Sequence, residues 1–476
     1  LLQVNKKSIV LAAVLMSVMP AALQGQTGLT NVVVSPLDAN AGSTSIHTVQ
    51  FQTSADIPAD AKIVIRYDQQ FDLSTLSIAS SSTMDGSFTL TVNADSAVIE
   101  RTNATVETAS ETESIQLANI TNAQSSGSYT NEVIIRDNTG NEIERGVSAS
   151  FQITPTQLDH FNIQTIAGPQ TAGSAFSVTV AAADQYDNTI TSFSNSVRLS
   201  AANGDISPTQ TAGFTGGTWT GDVMVFEAGS GNSITASYNS KSGESNNFTV
   251  EAGPLHGFSF SDIPSPQEAG NPFTITVQAN DEWGNRLVNY SESVVLQEKT
   301  GSLTVVTTGT NQTPSFTAGS WSGNIRITTA ASDIRLTAAQ NGTSSQSALF
   351  NVTAAGLDHF DIDPLGTESV GSSFLIHVTA RDIHGNVVRS YSGKAALEDE
   401  SGTLSPDSTS SFVEGEWSGN VTVTAPYENN VITVSDGQGH TGSSSSFDVV
   451  EAVVSYFDIS HPADVTAGTS FSTLII

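Results

Sequence analysis

FTITVQANDEWGN, residues 273–285, reads as a strand that runs straight into a tight turn. Phe273, Ile275 and Val277 alternate with Thr274 and Thr276, the period of two that turns one face of a strand to a core and the other to water. Asp281 then opens a D-x-x-G-N sequence made of turn formers. The pattern recurs twice: Phe176, Val178 and Val180 lead to Asp184 and Asn188, and Phe374, Ile376 and Val378 lead to Asp382 and Asn386. Each Asp lies eight residues after its Phe, and a Gly lies three before it, at Gly173, Gly270 and Gly371.

Outward from these segments the chain repeats with a period of about one hundred residues. Copies open at Leu158 (LDHFNI), Leu255 (LHGFSF) and Leu357 (LDHFDI), and a fourth begins at Val454 (VSYFDI). Each full copy carries a Trp in W-[ST]-G, at Trp219, Trp321 and Trp417. Later alternating pairs in the first copy are Val197 with Leu199, Val223 with Val225, Ile234 with Ala236 and Phe248 with Val250. About seven short strands per copy predict a sandwich of two antiparallel sheets. The domains expected are a signal peptide (1–26), an N-terminal β-sandwich (27–157), repeats over 158–254, 255–356 and 357–453, and the start of a fourth over 454–476. The N-terminal domain has its own strand-like segments, such as His47–Thr53, Ala61–Tyr67 and Glu132–Asp137, but lacks W-[ST]-G.

The opening segment has Lys6 and Lys7 before the apolar run Ser8–Met19, the order of a secretory signal. Both ends of the sequence read as incomplete. The formal charge of -31 comes from 16 Lys plus Arg against 47 Asp plus Glu, so the acidity is a shortage of bases. No basic stripe can be drawn, which argues against nucleic acid and anionic membranes as partners. No membrane insertion is expected after signal cleavage. Cysteine is absent, which removes disulfides, thiolate metal sites and Cys nucleophiles. Lys62, Lys241, Lys299 and Lys394 fall at non-equivalent places, so a Lys–Asn cross-link in every repeat is excluded.

The order D-x-x-G-N, V-x-L, F-x-x-G-x-W-x-G-x-V, I-T-A or I-T-V, then a closing F-x-V, resembles the bacterial immunoglobulin-like domains of intimin/invasin-type surface proteins. The resemblance spans about 158–453; the Trp departs from the family pattern. It implies an all-β fold of tandem immunoglobulin-like β-sandwiches, and a secreted or bacterial cell-surface setting. Junctions of about four residues limit hinge freedom and add the expectation of an extended array.

The D-x-x-[DG]-N turns invite two readings. Clustered oxygens at Asp184, Asp187 and Asp281 are candidate calcium ligands. The same signature at Asp137 to Asn141, in the unrelated first domain, favours a plain turn in which Asp caps and Gly or Asn takes a positive φ. Trp283, in the middle of one turn and with no equivalent in the other repeats, is the candidate ligand contact. The repeated Trp residues, and Phe193, Tyr290 and Tyr391, read as packing aromatics. No catalytic motif stands out, and repetition argues against the single preorganised pocket an enzyme needs. No cofactor is expected apart from the calcium alternative. The function expected is a non-catalytic adhesin stalk or structural spacer, its partners an unknown surface or matrix ligand and neighbouring domains of a longer chain. The alternative is an accessory region of a large secreted polysaccharide-acting enzyme whose catalytic domain lies beyond residue 476.

Overall fold

The computed structural model describes residues 28–451 and the paired strands Ile459–Ser460 and Leu474–Ile475. The signal-like segment and most of the fourth copy lie outside the described residues. Among the described residues every regular element is a strand. The alternation read from the sequence is reproduced in Phe273–Asn280, where Ile275, Val277 and Ala279 are buried and Thr274 is exposed.

The chain forms two compact units. The first runs to Gly168 and takes in Ala175–Val225 and Gly231–Phe248; the second holds Pro169–Ser174, Phe226–Ser230 and the chain from Thr249. In the first, the N-terminal domain sets a four-stranded sheet (Thr30–Pro36, Thr44–Gln52, Thr112–Thr121, Ile78–Ser81) against a five-stranded one (Glu142–Val147, Glu132–Arg136, Lys62–Arg66, Ser96–Thr102, Ser87–Val92). Val49, Phe51, Ile63, Ile65, Ile99, Ile115 and Leu117 lie in the core they share.

In the second unit, the second repeat orders Gly257–Phe260, Phe273–Asn280, Ser320–Ile327 and Leu303–Val305 in one sheet. Opposite stand two three-stranded pieces, Gln267–Glu268 with Phe350–Thr353 and Ala331–Ile334, and Val295–Gln297 with Thr337–Gln340 and Thr343–Gln346. Phe273 and Phe350 meet across the sandwich with ring centroids 5.9 Å apart. The third repeat has the same strand orders, from His359–Ile362 to Phe447–Val450.

Three details differ from the sequence expectation. Each repeat has ten short strands rather than about seven, and one pairing is parallel. The opening strand divides, and Gln267–Glu268 crosses to run parallel with the closing strand, Gln267 opposite Val352 and Glu268 opposite Thr353. Pro264 and Pro266 separate the two halves, and proline cannot donate to a sheet ladder. Second, Phe176, Phe273 and Phe374 hold one register position, opposite Val223, Ile325 and Val421. Only Phe374 is buried; the other two begin their strands and stay half-buried. Third, no turn Asn has a positive φ. The residue before it does: Asp187 (67°), Gly284 (86°) and Gly385 (80°).

Candidate functional site: the junctions between modules

Each D-x-x-[DG]-N turn is first a closed local structure. Asp382 Oδ1 accepts from the backbone amides of His384 (2.9 Å) and Asn386 (2.8 Å), and the Asn386 side-chain amide donates to Asp382 Oδ2 (2.8 Å). This leaves the Asn386 carbonyl oxygen, one amide hydrogen and part of Asp382 Oδ2 facing outward, and all three are used on the preceding repeat. The amide of Ala330 donates to Asn386 Oδ1 at 2.8 Å. The Asn386 side chain donates to the Thr328 carbonyl at 2.8 Å. The amide of Ala355, in the linker, donates to Asp382 Oδ2 at 2.9 Å.

The same three bonds recur one repeat earlier. Ala228 donates to Asn285 Oδ1 (2.9 Å), Asn285 donates to the Phe226 carbonyl (2.7 Å), and Gly253 donates to Asp281 Oδ2 (2.8 Å). They recur again where the first repeat meets the N-terminal domain. Ser126 donates to Asn188 Oδ1 (2.7 Å), Asn188 to the Gln124 carbonyl (2.7 Å), and Thr156 to Asp184 Oδ2 (2.9 Å). Hydrogen bonds to an ionised carboxylate are the stronger kind. Burial works against the charge of Asp184 and Asp382, yet the bonds from Asn188 and Asn386 and from the linker and turn amides outweigh it. Both carboxyls are held below their ordinary value.

A ring completes each junction. The third residue of the turn is Tyr186, Trp283 or His384. A methyl group built on Gly42 would lie 2.2 Å from the Tyr186 hydroxyl, one on Gly173 1.8 Å from Trp283, and one on Gly270 2.0 Å from His384 Nε2. Those glycines have φ of 65°, 72° and 77°, so glycine is required both by the backbone and by the ring that covers it. Trp283 therefore has equivalents, contrary to the sequence reading. The residue remains 41% exposed, and its ring also faces Phe226, centroids 5.6 Å apart.

The calcium candidates sit as follows. Both oxygens of Asp184 and both of Asp281 accept from N–H donors of the turn and the preceding module. Asp187 is exposed and meets His160 Nε2 and the Asn162 side chain, each at 3.0 Å. Among the described residues no three of His, Cys, Asp and Glu converge as a metal site requires. The turn Asp137 to Asn141 is a contrast: Asn141 folds back onto Asp137 and Thr139, whose hydroxyl, with Asn141, pulls the Asp137 carboxyl down to about 2.

Sequence reasoning found the turn and missed what its Asn does. The recurring Gly three residues before each Phe gave no signal of it, because each closes a turn of its own, Ser174 donating to the Thr171 carbonyl (3.0 Å), Asn271 to that of Glu268 (3.2 Å) and Ser372 to that of Ser369 (3.0 Å), which explains the positive φ locally.

No family profile matches this chain, and no curated protein matches it. Solved structures similar to it include the Escherichia coli adhesin FdeC, at 18% identity over 62% of this chain and 98% of that one, with a TM-score of 0.31. Invasin, a bacterial integrin-binding protein, is similar at 12% identity over 89% of this chain and 79% of that one, TM-score 0.28. A β-glycosidase from Bacteroides vulgatus is similar at 13% identity over 41% of this chain and 25% of that one, TM-score 0.19.

Proposed function

We propose that this chain is a non-catalytic spacer, the stalk of a bacterial adhesin displayed at the cell surface or secreted, in which tandem immunoglobulin-like sandwiches hold a binding region at a distance. One observation carries the reading: a single junction geometry is used three times, with the same three hydrogen bonds and a ring on a glycine. The N-terminal domain presents the same receiving groups although its fold is its own. A protein that needs only several folded domains has no use for identical junctions; one that must set reach and direction does.

Small-angle scattering of the full chain tests the proposal, with an elongated particle expected and a compact one overturning it. Glycan and matrix-protein arrays should show no strong specific binding. Micromolar binding abolished by Trp283→Ala would make the second repeat a recognition module instead.

A further inference from the structure

The junction turn does more than join. In the second repeat the three-stranded piece Gln267–Glu268, Phe350–Thr353 and Ala331–Ile334 contains both the opening and the closing segments of the repeat. Its central contact is the parallel pair of Gln267 with Val352 and Glu268 with Thr353, extended by Ala269 donating to the Thr353 carbonyl at 2.9 Å. Parallel pairing of first and last strands has a mechanical consequence. Tension on the chain ends pulls the two strands in opposite directions along their length, so these bonds are loaded together rather than opened one at a time.

The turn of the third repeat touches the chain just beyond all three strands of this piece, at the same end. His384 covers Gly270, two residues past Glu268. Asp382 holds Ala355, two residues past Thr353. Asn386 holds Thr328 and Ala330, which lead into Ala331. The arrangement is repeated one module earlier, where Gln170 and Thr171 pair in parallel with Val250 and Glu251, and Trp283, Asp281 and Asn285 grip Gly173, Gly253 and Ala228. Even in the N-terminal domain Asn40 bridges Thr154 in parallel, Gly42 lies under Tyr186, and Thr156 is held by Asp184.

We propose that the D-x-x-[DG]-N turn of each repeat is a lock on the terminal clamp of the module before it, so that a module's resistance to opening, by heat or by tension along the chain, is set by its C-terminal neighbour. The coupling has a direction. A change in the third repeat's turn weakens the second repeat, not the clamp of the third. The inference does not depend on the chain being a stalk, since it concerns only how one module's end is held by the next.

Amide hydrogen exchange on the full chain tests it. In Asn386→Ala, both side-chain bonds to the second repeat are lost. Exchange at Ala269 and at the amides of Phe350–Thr353 should then quicken by about 5- to 30-fold. The amide of Val370, which belongs to the third repeat's own clamp and donates to the Val450 carbonyl at 2.8 Å, should keep its rate. His384→Ala leaves the turn's backbone bonds in place and should produce the same pattern, which separates loss of the lock from misfolding of the turn. Unchanged rates in the second repeat, or acceleration confined to the third, overturn the proposal. Pulling single molecules by their ends gives the mechanical test: one unfolding event should move to lower force in Asn386→Ala, and an unaltered force distribution overturns the load-bearing role.

Discussion

The indole of Trp321 lies over Gly323, two residues further along the same strand, so that a methyl group at position 323 would sit 2.4 Å from the ring. Trp219 over Gly221 and Trp417 over Gly419 repeat the relationship. It explains why a Gly always stands two residues after the Trp. Trp321 and Trp417 are buried by this fold-over, Trp219 half-buried, and Trp417 Nε1 donates to Ser410 Oγ at 3.0 Å. Gly323→Ala or Gly419→Ala forces the ring out of its place and should cost about 1–3 kcal/mol, as overpacking does. Gly366→Ala, where a methyl group meets nothing within 4 Å, should stay within about 0.5 kcal/mol. Urea unfolding of the three variants checks this, and equal midpoints would show that the ring is free to move.

Acid should weaken the N-terminal domain through His47. The residue is fully buried among Tyr67, Phe71 and Phe151, with Nε2 2.8 Å from Asn122 Oδ1. Burial pulls its pKa down to about 4, against the opposing hydrogen bond to Asn122. The unfolded chain keeps a histidine value of about 6.5, so between the two values it binds more protons than the folded domain. Stability is therefore level above about pH 6.5 and falls as the pH drops towards 4, by on the order of 3 kcal/mol. His47→Gln should remove that share of the slope. Denaturation midpoints with the same pH dependence in both proteins would count against it.

Calcium should leave the repeats unmoved. The oxygens of Asp184 and Asp281 that a cation would need already accept N–H groups. A ligand that binds only the folded state raises its stability. Thermal unfolding in millimolar calcium and in chelator should therefore coincide. A rise of about ten degrees would instead make Asp184, Asp187 and Asp281 ligands.

Trp283 should behave as a junction ring. Trp283→Tyr, the residue type found at position 186, should preserve the contact with Gly173, whereas Trp283→Ala should free it. Exchange at Ala172, which donates to the Glu251 carbonyl at 2.8 Å, should rise in the alanine variant and hold in the tyrosine variant. Equal exchange in all three proteins would mean that the ring braces nothing.

What the sequence determined by itself is what local chemistry controls. Alternation at Phe273, Ile275 and Val277 specifies a half-buried strand, because successive side chains point to opposite faces whatever the partner strand. Asp281 and Gly284 specify a turn, because the cap and the left-handed residue lie within one stretch of five. Repetition of both, three times, specifies tandem modules. The tertiary structure decided the rest. Asn386 looks like a turn residue until Thr328, 58 residues away in sequence, is brought within 2.8 Å of it. Tyr186, Trp283 and His384 occupy the same place in their turns, yet only the glycine beneath each ring shows that the three do the same work. The crossing of Gln267–Glu268 to the closing strand depends on which edge is free when the sandwich closes. Each of these rests on groups from separate modules or separate sheets meeting in space, and the strand period and turn chemistry of either segment alone carry no information about its partner.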